Sequence, residues 1–248
     1  MTSARPAGAI VQADQVPAES AAGGASVRTL LDTGQGAPGL IRRHVDMQPG
    51  TGYDGTAGAA GELWFVIRGT GKLEVAGQQG PALRPDRAVW VPAGSDYRVL
   101  ADDETDVRLD VVALPMAGAS EAAAAEQAGR PLQDKDFANC EIETTGDRQF
   151  RVLFGPGKGC SVATQFVGEI PPGRAPEHSH PYDEVVLILG GEGTAHIGGA
   201  QTPLSPGTCL HLPPGLPHCL ENSGPAMMRV LGVFHPADSP AAKLPQGN

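Results

Sequence analysis

Cysteine, basic residues, aromatic side chains and long apolar runs are all scarce in this chain, and each shortage removes a class of function. Four cysteines, Cys140, Cys160, Cys209 and Cys219, are spread over 248 residues with no Cys-x-x-Cys pair, too few for a disulfide framework at this length. They read as reduced thiols with structural, buried roles. Lysine and arginine total 18 against 28 aspartates and glutamates, giving a net charge of -10 and a pI near 5.1. A nucleic-acid partner, which needs a basic face, is therefore not expected. The first residues lack the sustained apolar segment of a signal peptide, and no later run approaches the length of a membrane span. The expectation is a soluble, cytoplasmic protein with no membrane partner.

What the chain has in quantity is punctuation. Glycine (34) and proline (23) are abundant, aromatics make up only 4%, and short hydrophobic runs are cut by turn residues, the pattern of many short strands. An all-β class follows. The length can bury one large core or two of moderate size.

Histidine is the informative residue. There are seven; His44 alone precedes residue 178, and nothing near it in sequence completes a site, so it reads as incidental. Between Gly173 and Asn222 the order is Gly173-Arg-Ala-Pro-Glu-His178-Ser-His180-Pro-Tyr-Asp-Glu184, then Gly207-Thr-Cys-Leu-His-Leu-Pro213-Pro-Gly215-Leu-Pro-His218-Cys-Leu-Glu-Asn222. His178, His180 and Glu184 are separated by even intervals, so an extended chain puts them on one face. A helix would separate positions two apart and would be broken at Pro181. His218 must come alongside on a neighbouring strand after the Pro213-Pro-Gly215 turn. Cys219, of opposite parity, points away. Three imidazoles and a carboxylate suit a first-row divalent metal, with coordination positions left for water, substrate or oxygen.

These two stretches resemble the paired motifs of the cupin superfamily. The first is similar to the Gly, His-x-His, Glu, Gly pattern, closed by Gly190 or Gly191, with one residue fewer than the commonest form between Gly173 and His178. The second is similar to Gly, Pro-x-Gly, His, Asn at Gly207, Pro213, Gly215, His218 and Asn222. The resemblance implies a small antiparallel barrel holding one divalent transition metal per chain on His178, His180, Glu184 and His218. Iron leads, and manganese, nickel, zinc or copper also fit.

An internal repeat extends this reading. Setting Glu62 on Glu184 aligns Glu62-Leu-Trp-Phe-Val-Ile-Arg-Gly69 with Glu184-Val-Val-Leu-Ile-Leu-Gly-Gly191, and Pro92-Ala-Gly94 falls on Pro213-Pro-Gly215 with a one-residue slip. The chain thus resembles a bicupin, with two tandem antiparallel jelly-roll-like barrels. A period this long indicates domain duplication. In the first copy Thr56 and Gly58 stand at the histidine positions and Tyr97 at that of His218, so only Glu62 remains and no metal is expected there.

The expected organisation is an extension over 1–26 that adds an edge strand or is partly disordered, a barrel without metal over 27–114, a linker over 115–136 with a short helix, a metal-binding barrel over 137–236, and a tail over 237–248 that frays. Strands in the second barrel are expected over 149–154, 161–170, 178–189, 193–197, 208–212, 218–221 and 227–234. His196 and His235, near strand ends, are expected to be exposed. Gln165, Tyr182, His211 and Arg229 are candidate pocket residues, Arg229 through its planar fork for a carboxylate. Tyr182, His211 and Glu177 are candidate acids or bases.

Three classes of function remain. A metal-dependent dioxygenase or other oxidoreductase acting on a small organic substrate leads, because the ligand set supports redox-active metals and the flanking residues are apolar. The alternatives are a redox-neutral isomerase, hydrolase or decarboxylase, and a bicupin that binds a small molecule without turnover. A homodimer is left open, since cupins commonly pair barrels and a bicupin can do so within one chain.

Overall fold

In the computed structural model, residues 8–32, 34, 40–114 and 130–242 are described. They form two antiparallel barrels, each a seven-stranded sheet facing a four-stranded one. The first large sheet runs, in spatial order, Gln133–Asp136, Arg87–Val91, Glu62–Arg68, Val107–Ala113, Ile41–Met47, Ser26–Leu31 and Glu19–Ser20. The second runs Ile10–Gln12, Thr208–Leu212, Asp183–Gly190, Met228–His235, Thr164–Ile170, Arg148–Phe154 and Glu143–Thr145. The orders correspond strand for strand. Glu62–Arg68 and Asp183–Gly190 occupy the same place, third from the same edge.

Each large sheet borrows its first strand from outside its own barrel. Ile10–Gln12, from the N-terminal segment, pairs with Thr208–Leu212 of the second barrel. Gln133–Asp136, from the stretch between the barrels, pairs with Arg87–Val91 of the first. The helix expected in the linker falls on residues 115–129, outside the described residues.

The two large sheets are buried on both faces, and this explains their unbroken hydrophobic sequences. Along Asp183–Gly190, Val186 and Ile188 enter the barrel core while Val185 and Leu187 enter a second core. That second core also contains Leu63, Phe65, Trp90 and Val112 of the first barrel. The barrels therefore pack back to back through their large sheets.

One ion pair crosses this apolar layer. Arg42 donates from Nε and Nη2 to the two carboxylate oxygens of Asp110 (2.8 and 3.0 Å), and from Nη1 and Nη2 to the carbonyls of Val185 and Leu231 (3.0 and 3.1 Å). Arg42 and Asp110 are both fully buried. The fork thus ties the first barrel to the strand that carries Glu184. His44 lies beside the pair, its Nε2 3.6 Å from Asp110. Burial and the surrounding Arg108, Arg42, Arg28 and Arg68 push its pKa down to about 3, so it stays neutral.

Several expectations require correction. No continuous strand covers 178–189: the regular strand begins at Asp183, and His178 forms only an isolated bridge to His218. A strand at Ala200–Leu204 went unforeseen because it contains Pro203; it lies at a sheet edge, where a missing N–H is tolerated. His196 and His235 are buried, not exposed. His196 Nε2 pairs with Glu221 at 2.7 Å, and His235 Nδ1 donates to the Val162 carbonyl at 2.8 Å. The tail is docked at least to residue 242, where Ala242 packs on Phe150, Phe166, Tyr182 and Phe234.

Candidate metal centre

His218 opens the strand His218–Asn222 of the second barrel's small sheet, where it exchanges both backbone hydrogen bonds with His178 (2.8 and 2.9 Å). From there the chain bends through residues 179–182 and enters the large sheet at Asp183. Glu184, second in that strand, shares the interior-facing parity of Val186 and Ile188. The bend is tied down by the second motif: Gly215, at φ 72° in the Pro213-Pro-Gly215 turn, donates its N–H to the His180 carbonyl at 2.8 Å. Such a φ favours glycine. The closing glycine of the first motif is Gly191, at φ 89°.

These elements bring His178, His180 and His218 together with one ligand atom of each within 4.8 Å of the others. Glu184 Oε2 lies 3.5 Å from His180 Nε2. No other group of this kind is found among the described residues. His180, Glu184 and His218 are buried, and His178 is half-buried.

The outer nitrogens define the tautomers. Nδ1 of His178 faces the Pro176 carbonyl (3.1 Å), Nδ1 of His180 the Ala242 carbonyl (2.7 Å) and Nδ1 of His218 the Leu216 carbonyl (2.8 Å). A carbonyl only accepts, so each Nδ1 carries the proton and each Nε2 carries the lone pair. Behind His180, Tyr182 is stacked on its ring (4.8 Å, 11°) and on Phe234 (4.1 Å, 13°). Its hydroxyl donates to the Ser239 carbonyl.

The electrostatics suit a cation. Burial lifts the Glu184 carboxyl to about 7. Burial, together with the other two histidines, lowers His218 to about 3 against the pull of the Leu216 carbonyl. His218 is thus neutral at any ordinary pH, and Glu184 would have to release its proton to solvent for a metal to bind. Three oriented imidazole lone pairs and one carboxylate are a donor set that could bind a first-row divalent ion.

Above the cluster opens a cavity of about 230 Å³, walled by Phe150, Phe166, Ile170, Val186, Leu212 and Leu220. The tight hairpin turn Thr145-Gly-Asp-Arg148 and Pro240 of the tail also line it. The four pocket residues expected from sequence do not line it. Gln165 has the parity of Val167 and faces the layer between the barrels, its amide without a hydrogen-bond partner among the described residues. Tyr182 stands behind His180. His211 pairs through Nε2 with Asp183 at 2.9 Å. Arg229 donates to Asp86 at 3.1 Å and lies over the Phe137 ring. Glu177 lines a separate groove near Gly8 and Pro217. The sequence reading passed over Asp147, Arg148 and Phe150, although Gly146-Asp147 followed by alternating Arg148, Phe150 and Val152 is a hairpin signal.

The equivalent place in the first barrel is filled by its own side chains. Glu62 is buried and accepts from Trp64 Nε1 at 2.8 Å. Trp64 meets Tyr97 edge-on at 4.8 Å, and the Tyr97 hydroxyl donates to that of Tyr53 at 3.2 Å.

Residues 166–234 match the family model described as the cupin domain. No curated protein matches the chain in sequence. Among solved structures it is similar to the protein Ylba of E. coli (14% identity, TM-score 0.74, 94% of this chain and 93% of that one). It is similar to a mutant of Bacillus subtilis oxalate decarboxylase (12%, 0.74, 95% and 78%) and to hazelnut vicilin from Corylus avellana (11%, 0.71, 92% and 85%). At these identities the likeness concerns the fold alone. Among the described residues no helix is long and apolar enough to cross a membrane.

Proposed function

We propose that this chain is a cytoplasmic bicupin enzyme, a dioxygenase or related oxidoreductase. It would hold one divalent transition metal, iron first among iron, manganese, nickel, zinc and copper, on His178, His180, Glu184 and His218. Residues 137–236 form the working barrel and residues 27–114 its scaffold. When bound, the metal supplies a redox-active centre with positions open to a small organic substrate and to oxygen.

The observation that carries this reading is the character of the cavity. The histidine cluster lines a mainly apolar chamber that the acid and base candidates Tyr182, His211 and Glu177 do not line, Asp147 at its hairpin turn being the carboxyl there besides Glu184. Redox-neutral proton chemistry would need such a group at the substrate. The chain's own residues orient three imidazoles through Pro176, Leu216 and Ala242, exclude water with Phe150 and Phe166, and release one proton from Glu184. Metal analysis of protein purified without added metal, followed by oxygen uptake across a panel of small organic substrates, tests the proposal. Turnover without oxygen consumption would instead support the redox-neutral reading of isomerase, hydrolase or decarboxylase. That reading draws on Asp147, which lines the cavity. Tight binding without turnover would favour a binding protein. Sedimentation would show whether the chain pairs again as a homodimer.

A further inference from the structure

Most arginines of this acidic chain already sit on carboxylates. Arg28, Arg42, Arg87, Arg98, Arg108 and Arg229 each pair with an aspartate. Arg151 is held by the carbonyls of Phe137 and Ala138. Arg148 is different. It forms no ion pair among the described residues, it is half-buried, and it lines the cavity above the histidine cluster.

Its position follows from the backbone. The two-residue turn Gly146-Asp147 fixes the start of the strand Arg148–Phe154, and Arg148 shares a face with Phe150, which also lines the cavity. On the other side, His218 exchanges both hydrogen bonds with His178, so Leu220, two residues on, offers its carbonyl to the same edge. Residues 175–177 leave the edge at this point, and Arg148 Nη2 takes the Leu220 carbonyl at 2.8 Å. One N–H of the fork is thereby used to orient the guanidinium. Nη2 is the one atom of the fork with a hydrogen bond among the described residues. Burial pulls the pKa of Arg148 down from its ordinary range, against the pull of Asp147 and Cys219. A half-buried planar cation on the cavity wall, with a donor set that matches a carboxylate, is placed to meet an anion there.

We propose that Arg148 is the specificity residue of the site and anchors the carboxylate of the substrate, an organic acid with an apolar body. The proposal rests on reading the cavity as the substrate chamber. It replaces Arg229, whose fork is committed to Asp86, in the role of carboxylate anchor. The carboxylate is held from the side wall, and the apolar body lies against Phe150, Phe166 and Leu220 over the cluster.

The test uses the full chain, metal-loaded and chelator-stripped, titrated by calorimetry with benzoate and with its neutral isostere benzamide. The wild type should favour benzoate by about tenfold or more in both forms. Arg148→Gln should weaken benzoate by about 10- to 100-fold, the range of a charge-assisted hydrogen-bonded pair, and leave benzamide binding and metal content unchanged. Arg148→Lys should retain part of the preference. Equal binding of the two compounds by the wild type, or an unaltered preference in a folded Arg148→Gln variant, would overturn the proposal. Should that variant melt early, a crystal structure of the metal-loaded wild type with benzoate decides: a carboxylate on Arg148 supports the anchor, and a carboxylate away from it overturns it. Metal content, measured in parallel, separates this outcome from failure of the metal-centre reading, because the stripped form tests Arg148 without the metal.

Discussion

Metal affinity should rise with pH until Glu184 is ionised without help, and then level off. The carboxyl is carried from its ordinary 4.5 to about 7 because it is buried, whereas His218, at about 3, has no proton to lose near neutrality. A metal arriving at pH 6 must therefore displace a proton from Glu184, and at pH 8 it need not. For a single carboxyl near 7 this linkage amounts to about a tenfold fall in affinity between pH 8 and pH 6. The sign is fixed: acid weakens binding, and the contribution of Glu184 falls around pH 7. Competition against a chromophoric chelator over that range measures the affinity. Calorimetry in two buffers of different ionisation enthalpy counts the proton released. Glu184→Gln should bind more weakly and lose this tenfold dependence. A flat profile for the wild type, or an identical slope in Glu184→Gln, would refute the reasoning.

Other consequences are as direct. The double variant His178→Ala, His218→Ala should purify with little metal, and full metal content by elemental analysis would overturn the assignment of the cluster. Glu62→Gln should leave metal at one per chain and turnover nearly unchanged, because Glu62 is engaged by Trp64 and has Thr56, Gly58 and Tyr97 where the second barrel has histidines; a second equivalent of metal in the wild type, lost in this variant, would count against that. Asp110→Ala should cost about 3–5 kcal/mol in urea unfolding by leaving Arg42 buried without its carboxylate, and Arg42→Met with Asp110→Leu should recover most of the loss.

The metal motif was legible because coordination chemistry demands particular side chains within a short span. The parity of Glu184 with Val186 and Ile188 could be read from a strand buried on both faces. The path of His178 and His180 could not, since Pro181 breaks the strand and the two rings converge through a bend held by Gly215 and a bridge to His218. Polar sequence near Pro236 signals fraying, yet the carbonyls of Asp238, Ser239 and Ala242 receive Thr164, Tyr182 and His180. Backbone acceptors of this kind leave no trace in residue identity. Arg148 was missed for a related reason. It lies thirty residues before His178, and only the closing of the barrel brings it to the cavity.

The first barrel keeps the strand order of the second while its interior is occupied by Trp64, Tyr97 and Tyr53, and its value to the site lies in what it covers. Val185, Leu187, Leu231 and Val233, on the two central strands behind Glu184, share one buried cluster with Leu63, Phe65, Trp90 and Val112 of the first barrel. Arg42 adds direction to this contact by holding the carbonyls of Val185 and Leu231 from a fully buried position. Each barrel also receives an edge strand from outside its own span, so neither sheet edge nor sheet face would be complete in a separated half. In the first barrel, a carboxylate engaged by an indole and a packed aromatic interior stiffen the wall against which the second barrel packs.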